Sequence, residues 1–209
     1  MTANPFVCRP AAEVLVLASR SPRRAELLTT AGLAFEVHPA GNVETDLAAE
    51  LSARATAPPD YARELALAKA RDVAGRMPGR LVLGADTVVV LDGDILEKPG
   101  DEAEARYLLG RLNGREHTVI SAVALAGASA GDGVVEHEST RVSFLQHDAE
   151  TLARYVATGE PMDKAGAYGI QGLGALLVQR VDGCYFNVMG LPLSRLGAML
   201  NALEPESRT

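Results

Sequence analysis

The first clear pattern along the chain is five consecutive apolar residues, Val14-Leu15-Val16-Leu17-Ala18, the mark of a short strand buried on both faces. Ser19-Arg20-Ser21-Pro22 ends the run. Ser21 is placed as an N-cap, Pro22 as the first helical residue and Gly32 as the stop, so a helix is predicted over residues 22–31. Residues 39–60 are polar, Ala-rich and punctuated by Pro, and read as a long loop. Helical spacing returns from Asp60 to Arg76, with Tyr61, Leu65, Val73 and Met77 near one face. A second apolar strand runs from Leu81 to Leu91 and turns at Asp92-Gly93 into Ile95-Leu96.

Asp101 with Glu104 three residues later opens a further helix in a capping-box-like pattern. His117 to Leu125 and Val134 to Leu145 read as strands, and Asp148 to Ala157 as a helix stopped by Gly159. Ala175 to Val181 reads as a strand, Asp182-Gly183 as a turn and Pro192 to Leu203 as a closing helix. Strands and helices alternate without a fixed order, which predicts an α/β or α+β protein with a mixed sheet. No repeat or linker separates independent domains. The expected organisation is an extension over residues 1–13, one domain over 14–203 and a frayed tail over 204–209.

Composition narrows the function classes. Hydrophobic residues make up 47 % of the 209, enough for an ordinary core, while aromatics are 4 % with no Trp, a poor supply of base-stacking platforms. A net charge of −7 argues against general binding of nucleic acid polymers or anionic membranes, so cations for any anionic ligand must be gathered locally. The two cysteines, Cys8 and Cys184, cannot build a structural zinc site alone and read as reduced thiols. His38, His117, His137 and His147 show no metal-ligand spacing. The first thirteen residues do not read as a signal peptide, and no apolar run approaches the ~20 residues of a membrane span. The expectation is a cytoplasmic protein.

Four places carry candidate chemistry. In Ser19-Arg20-Ser21-Pro22-Arg23-Arg24 a buried strand runs into a helix N-terminus bearing Arg. That end of a helix is normally stocked with acids, so paired Arg suits an arriving phosphate; a solvated Arg pair is the bland alternative. Asp86 lies in the middle of an apolar strand, where a carboxylate must be paired, hydrogen-bonded, metal-bound or catalytic. Gly84 beside it would let a ligand approach the backbone. Lys69, Lys98 and Lys164 are each ordinary surface lysines taken singly, but with Arg23 and Arg24 they could form the local cation cluster. Finally, residues 160–172 place Tyr168 and Gln171 among three glycines, a loop able to approach a ligand closely, and the Gln171 amide can both donate to and accept from a base edge. No P-loop and no G-x-S-x-G occurs. The residues alone point to phosphoanhydride chemistry, with cations for phosphates and a carboxylate for water or metal.

The ordered set S-R-S-P-R-R-x-E-L-L (19–28), K-A (69–70), G-A-D-T-V-V (84–89), K-P (98–99), D-K-A-G-A-Y-G-I-Q-G (163–172) and G-L-P-L (190–193) resembles the Maf family over about residues 14–203. The resemblance implies an elongated mixed α/β sheet flanked by helices, inosine-triphosphatase-like, with two lobes around a central cleft. It implies hydrolysis between the α- and β-phosphates of a nucleoside triphosphate with a divalent cation, Mg²⁺ or Mn²⁺. Asp86 would activate the water. Ser19, Arg24, Lys69 and Lys98 would hold the triphosphate, and Arg23, Thr87 and Gln171 would select the base; Lys164 and Tyr168 are counted with the substrate-binding residues on their own setting in the sequence. Arg23, Thr87 and the Tyr168–Gly172 stretch resemble the dTTP/UTP branch, and a homodimer is implied by resemblance alone.

One stretch departs from the family pattern. Where members carry a V-D-E-like acidic pair, this chain has Val43-Glu44-Thr45-Asp46. Glu44 is the expected metal-side carboxylate beside Asp86, with Asp46 the alternative. Two rival functions stand beside this one: a purine-directed pyrophosphatase acting on inosine or xanthosine triphosphate, and a non-catalytic nucleotide-binding regulator of cell division.

Overall fold

The computed structural model describes residues 4–7 and 14–203; the expected tail over 204–209, most of the expected N-terminal extension and Cys8 lie outside that range. The first apolar run forms β1 (Leu15–Leu17), wholly buried, and leads into α1 (Pro22–Thr30), with Pro at its first turn. Gly32 follows with φ +65°, the left-handed conformation that a helix stop requires. A strand the pattern did not predict comes next, β2 (Phe35–Val37). It is short and mostly exposed, so no buried run announced it.

Residues 39–60 are not the expected long loop: α2 (Val43–Ala53) occupies them. Its sequence carries Glu44 and Asp46 in the first turn, where acids favour a helix, and Leu51, fully buried. Few apolar residues mark its inner face, which hid it from a periodicity reading. The next helix, α3 (Pro58–Arg76), starts two residues earlier than expected, with Pro in its first turn. Tyr61, Leu65 and Val73 are buried along it, as its spacing required.

The central strand β3 (Val82–Leu91) is buried almost throughout. It turns through Asp92 and Gly93, both at positive φ, into β4 (Asp94–Leu96), the geometry of a tight hairpin. Gly84 has a different reason from the one its sequence setting suggested. A Cβ there would lie 2.2 Å from the Ala66 carbonyl oxygen and 2.8 Å from the Ala70 nitrogen. The missing side chain admits helix α3 rather than a ligand.

The remaining elements are α4 (Glu102–Leu112), β5 (Glu116–Gly127), β6 (Gly131–Phe144), α5 (Ala149–Val156), β7 (Val178–Asp182), α6 (Tyr185–Met189) and α7 (Leu193–Ala202). Asp101 and Asp148 cap α4 and α5, accepting from the Glu104 and Thr151 amides at 2.8 and 2.7 Å. The Glu104 carboxylate reaches back to the Gly100 amide at 2.7 Å, one residue beyond the partner of a standard capping box. The expected strand from Ala175 begins only at Val178, because residues 172–177 form a tight 3₁₀ turn.

Seven strands make one mixed sheet in the order β2-β1-β3-β5-β6-β7, with β4 paired to β3. β1 runs parallel to β2 and β3, whereas β3–β4 and β6–β7 are antiparallel. The chain divides into two compact units, with the division falling inside β3 after Asp86, β5 after Ile120 and β6 after Glu138. The first unit holds α1, α2, α3 and α7; the second holds α4, α5, α6, β4 and β7. The second has its own core, in which Val89, Leu109, Leu112, Val142 and Val156 pack together. Among the described residues no helix is long and apolar enough to cross a membrane.

Candidate active site

In the first unit, β3 delivers Asp86 and α3 delivers Lys69 into the interior, each only 6 % exposed. The Lys69 ammonium donates to Asp86 Oδ1 at 2.7 Å and lies 3.0 Å from Glu44 Oε2. Glu44 stands on the first turn of α2 and is half-exposed. A charge buried to this extent is tolerated only when paired, and here one cation holds two carboxylates. Asp46, two positions further on, is exposed; a step of two residues turns about 200° around a helix, so of the two acids it is Glu44 that meets Lys69.

The same unit carries the Arg-bearing helix end. No acid occupies the first turn of α1, and Ser21 makes no side-chain cap. Ser19 is buried at the end of the first strand; its hydroxyl accepts from the Ser21 amide at 3.2 Å and from Arg24 Nη1 at 3.0 Å. Arg24 Nε donates to the Gly190 carbonyl at 3.0 Å, which fixes the guanidinium on the G-L-P-L segment. Desolvation pulls the Arg24 guanidinium below its ordinary value, the Asp86 and Glu44 charges oppose that, and Arg23 adds to it. Arg24 is thus electrostatically coupled to the carboxylate pair and to Arg23. Ser19, Arg23, Arg24, Glu44, Lys69 and Asp86, scattered over 68 positions of sequence, form one neighbourhood.

The donor set admits a metal of one kind. No group of three His, Cys, Asp or Glu suited to an ion occurs among the described residues, so a cage built from protein ligands is not available. Two carboxylates, with phosphate oxygens and water completing the shell, are an ordinary set for Mg²⁺ or Mn²⁺. Glu44 and Asp86 converge on one cation already, and that geometry fits such an ion.

The other expected residues lie in the second unit. Thr87 follows Asp86 on β3 and is partly exposed, and Lys98 is exposed in the loop after β4. That loop is tied to the glycine-rich segment by the Gly166 amide, which donates to the Glu97 carbonyl at 3.1 Å. Gly166 needs its φ of +66° and its missing Cβ, which would sit 3.0 Å from Val89. Gln171 is partly exposed on an extended backbone. Lys164 is turned inward: its ammonium donates to the Glu160 carbonyl at 2.5 Å and to Asp163 at 2.6 Å.

Tyr168, expected at the ligand, is a core residue 5 % exposed. Its hydroxyl is 2.8 Å from His117 Nε2, and Phe144, His117 and Tyr168 stack edge to face. Burial raises the Tyr168 phenol above its ordinary value. It also pushes the His117 ring from 6.5 down to about 4, and Nδ1 has no hydrogen-bond partner among the described residues. The unfolded chain therefore takes up a proton before the folded one, so stability falls as pH drops from about 6.5 to about 4 and levels off below. This group alone is expected to cost about 3 kcal/mol across that window. Denaturant unfolding of the wild type and His117→Gln at pH 7 and pH 4.5 checks it, since the variant should lose distinctly less stability on acidification.

Sequence reasoning missed three contributors. The spacing of the histidines argues only against His117 as a metal ligand, and nothing in its sequence setting points to Tyr168. Asn187, fully buried, donates to the Val119 carbonyl at 2.9 Å and to the Thr140 hydroxyl at 3.0 Å. Glu160 accepts from two backbone amides of the glycine-rich loop; its place beside Pro161 just ahead of that loop was the one available signal.

A mixed α/β fold in which one lysine grips the buried Asp86 and the half-exposed Glu44, beside a helix N-terminus stocked with arginines, defines an enzyme-like phosphate-handling protein. The chain belongs to the Maf-like protein family, whose model matches residues 14–203. Among curated relatives, a protein of Symbiobacterium thermophilum named dTTP/UTP pyrophosphatase is 50 % identical over 186 residues, 89 % of this chain and 92 % of that one. Another of that name, from Koribacter versatilis, is 47 % identical over 186 residues, with the same shares covered. The solved structure of the Staphylococcus aureus Ham1 protein matches with a TM-score of 0.51 at 15 % identity, covering 92 % of this chain and all of that one; it speaks for the fold alone.

Proposed function

We propose that this protein is a nucleoside triphosphate pyrophosphatase that hydrolyses dTTP and UTP to the monophosphate and pyrophosphate. The observation that carries the reading is the buried Lys69 holding Asp86 and Glu44 together beside Arg24. A binding protein gains nothing from burying the Asp86 carboxylate where a polyanion must approach, whereas a hydrolase needs a base there. The curated relatives, named for the same pyrimidine triphosphates, support the choice of substrate over inosine or xanthosine triphosphate.

In this mechanism the triphosphate settles with its oxygens toward the amino end of α1, Arg24 and Lys69, with Ser19 holding Arg24 in place. Lys98 is assigned to the phosphates, and Arg23, Thr87 and Gln171 to the base, on the family resemblance; Lys164 is assigned to the substrate on its place in the glycine-rich loop. Tyr168 acts from within the core, by fixing the loop that bears Gln171. The Asp86 carboxylate takes a proton from the water that attacks the α-phosphorus. The bond from that phosphorus to the bridging oxygen breaks, and pyrophosphate departs with the negative charge, matched by the cationic groups. A divalent cation held by Glu44 and Asp86 would supply charge neutralisation at the phosphate oxygens. The same reading makes the protein a cytoplasmic enzyme without a nucleic acid polymer or membrane as partner; a homodimer rests on the family resemblance alone.

Pyrophosphate release from a panel of nucleoside triphosphates, with Mg²⁺ or Mn²⁺, is the test. The expected outcome is preferential cleavage of dTTP and UTP. Turnover confined to purine triphosphates would keep the chemistry and overturn the base assignment, and binding of all nucleotides without turnover would favour a regulator.

A further inference from the structure

The glycine-rich loop of the second unit is held by a carboxylate that the catalytic reading does not use. Glu160 Oε1 accepts from the Gly174 amide at 2.9 Å and from the Tyr155 hydroxyl at 3.0 Å, and Oε2 accepts from the Leu173 amide at 2.9 Å. The Tyr155 oxygen in turn lies 3.4 Å from the Gly169 amide. Gln171 is thereby bracketed two residues to either side, at Gly169 and Leu173.

Two glycines exist for this contact. Gly172 has φ +70°, and a Cβ there would lie 2.7 Å from Glu160 Oε2; at Gly174 a Cβ would lie 2.4 Å from the Gly169 carbonyl oxygen and 2.5 Å from the Tyr155 oxygen. Without such an anchor a stretch holding Gly169, Gly172 and Gly174 would sample many conformations. Burial pushes the Glu160 carboxyl up, but the Gly174 and Leu173 amides, the Tyr155 hydroxyl and Lys164 outweigh it and hold it below its ordinary value. The group is an anion near neutral pH, and its hydrogen bonds are charge-assisted.

We propose that Glu160 is a positioning residue for nucleobase selection, its carboxylate and the Tyr155 hydroxyl latching the 169–174 loop so that Gln171 is presented in one conformation. The proposal rests on the reading that Gln171 faces the base. A loosened loop still carries Gln171 but no longer aims it, so recognition weakens while the chemical step at Asp86 is kept.

The experiment measures kcat and KM for dTTP, UTP, dCTP and dGTP with the wild type, Glu160→Ala, Glu160→Gln and Tyr155→Phe. For Glu160→Ala the preference for dTTP over dCTP and dGTP in kcat/KM is expected to fall about ten- to a hundredfold, through KM, with kcat for dTTP changed by less than about threefold. Glu160→Gln keeps an acceptor oxygen but turns an amide NH₂ toward donors, so it should fall between. Tyr155→Phe should weaken the preference by a smaller factor, because it removes one hydrogen bond of the latch.

If Glu160→Ala does not fold, the other two variants carry the test. Variants that lose thermal stability yet keep the wild-type preference, or that lose kcat equally on every nucleotide, would overturn the latch. A wild type that shows no preference for dTTP and UTP would instead overturn the substrate reading beneath it, so the two failures are told apart.

Discussion

Asp86→Asn is expected to lower the turnover of dTTP by on the order of 10²–10⁴, with the fold intact and nucleotide binding retained. The substitution is nearly isosteric, so the packing around β3 survives. What disappears is the anion that can take a proton from water, and with it half of the carboxylate pair. Lys69 keeps a partner, because Glu44 remains 3.0 Å from its ammonium, and this limits the damage to stability. The measurement is pyrophosphate release under saturating substrate, beside a binding assay with a non-hydrolysable triphosphate. Near-full turnover in the variant would remove Asp86 from the role of base and move the search to Glu44.

Lys69→Met should have the largest effect on stability, about 3–5 kcal/mol. Both Lys69 and Asp86 are almost wholly out of water, with side-chain exposures of 7 % and 9 %. Met fills much of the lysine volume but leaves the Asp86 charge buried, with Glu44 as a like charge nearby. The cost is the uncompensated carboxylate rather than lost packing. Combining Lys69→Met with Asp86→Asn should recover part of the loss, because the second change removes the orphaned charge. Urea unfolding, followed by two probes so that the two units are not confused, measures both variants. A single-variant loss below about 1 kcal/mol would show that the pair is solvated in solution and would weaken the case for a buried base.

Individual elements show which signals the chain made local. The helix at Pro22 could be read because its start and stop signals are neighbours in sequence, and β3 because a long apolar run admits few other structures. The α2 helix could not, since its sparse apolar face leaves little periodicity to find; a single Leu51 is fully buried along it. At Gly84 the bare backbone within a strand signals close approach, and the neighbour that approaches is helix α3 rather than a ligand. A sequence shows that a backbone is bare without showing what comes to lie against it.

The site divides along the same line. Asp86 announced itself, because a carboxylate within an apolar strand violates the burial rule locally, and the Arg pair at the head of α1 violates the expected charge of a helix start. Those violations, with the spacing of the motifs, determined the class of chemistry and the family. Only the tertiary structure decided that Glu44 rather than Asp46 meets Lys69, that Tyr168 belongs to His117 in the core, and that Glu160 holds the loop bearing Gln171. The physical reason is that charge pairing and hydrogen bonding act over about 3 Å in space, whereas the partners here lie as far apart along the chain as Arg24 and Gly190, 166 residues. Composition and periodicity record which environment a side chain needs. Which partner meets that need is settled only when the strands and helices pack.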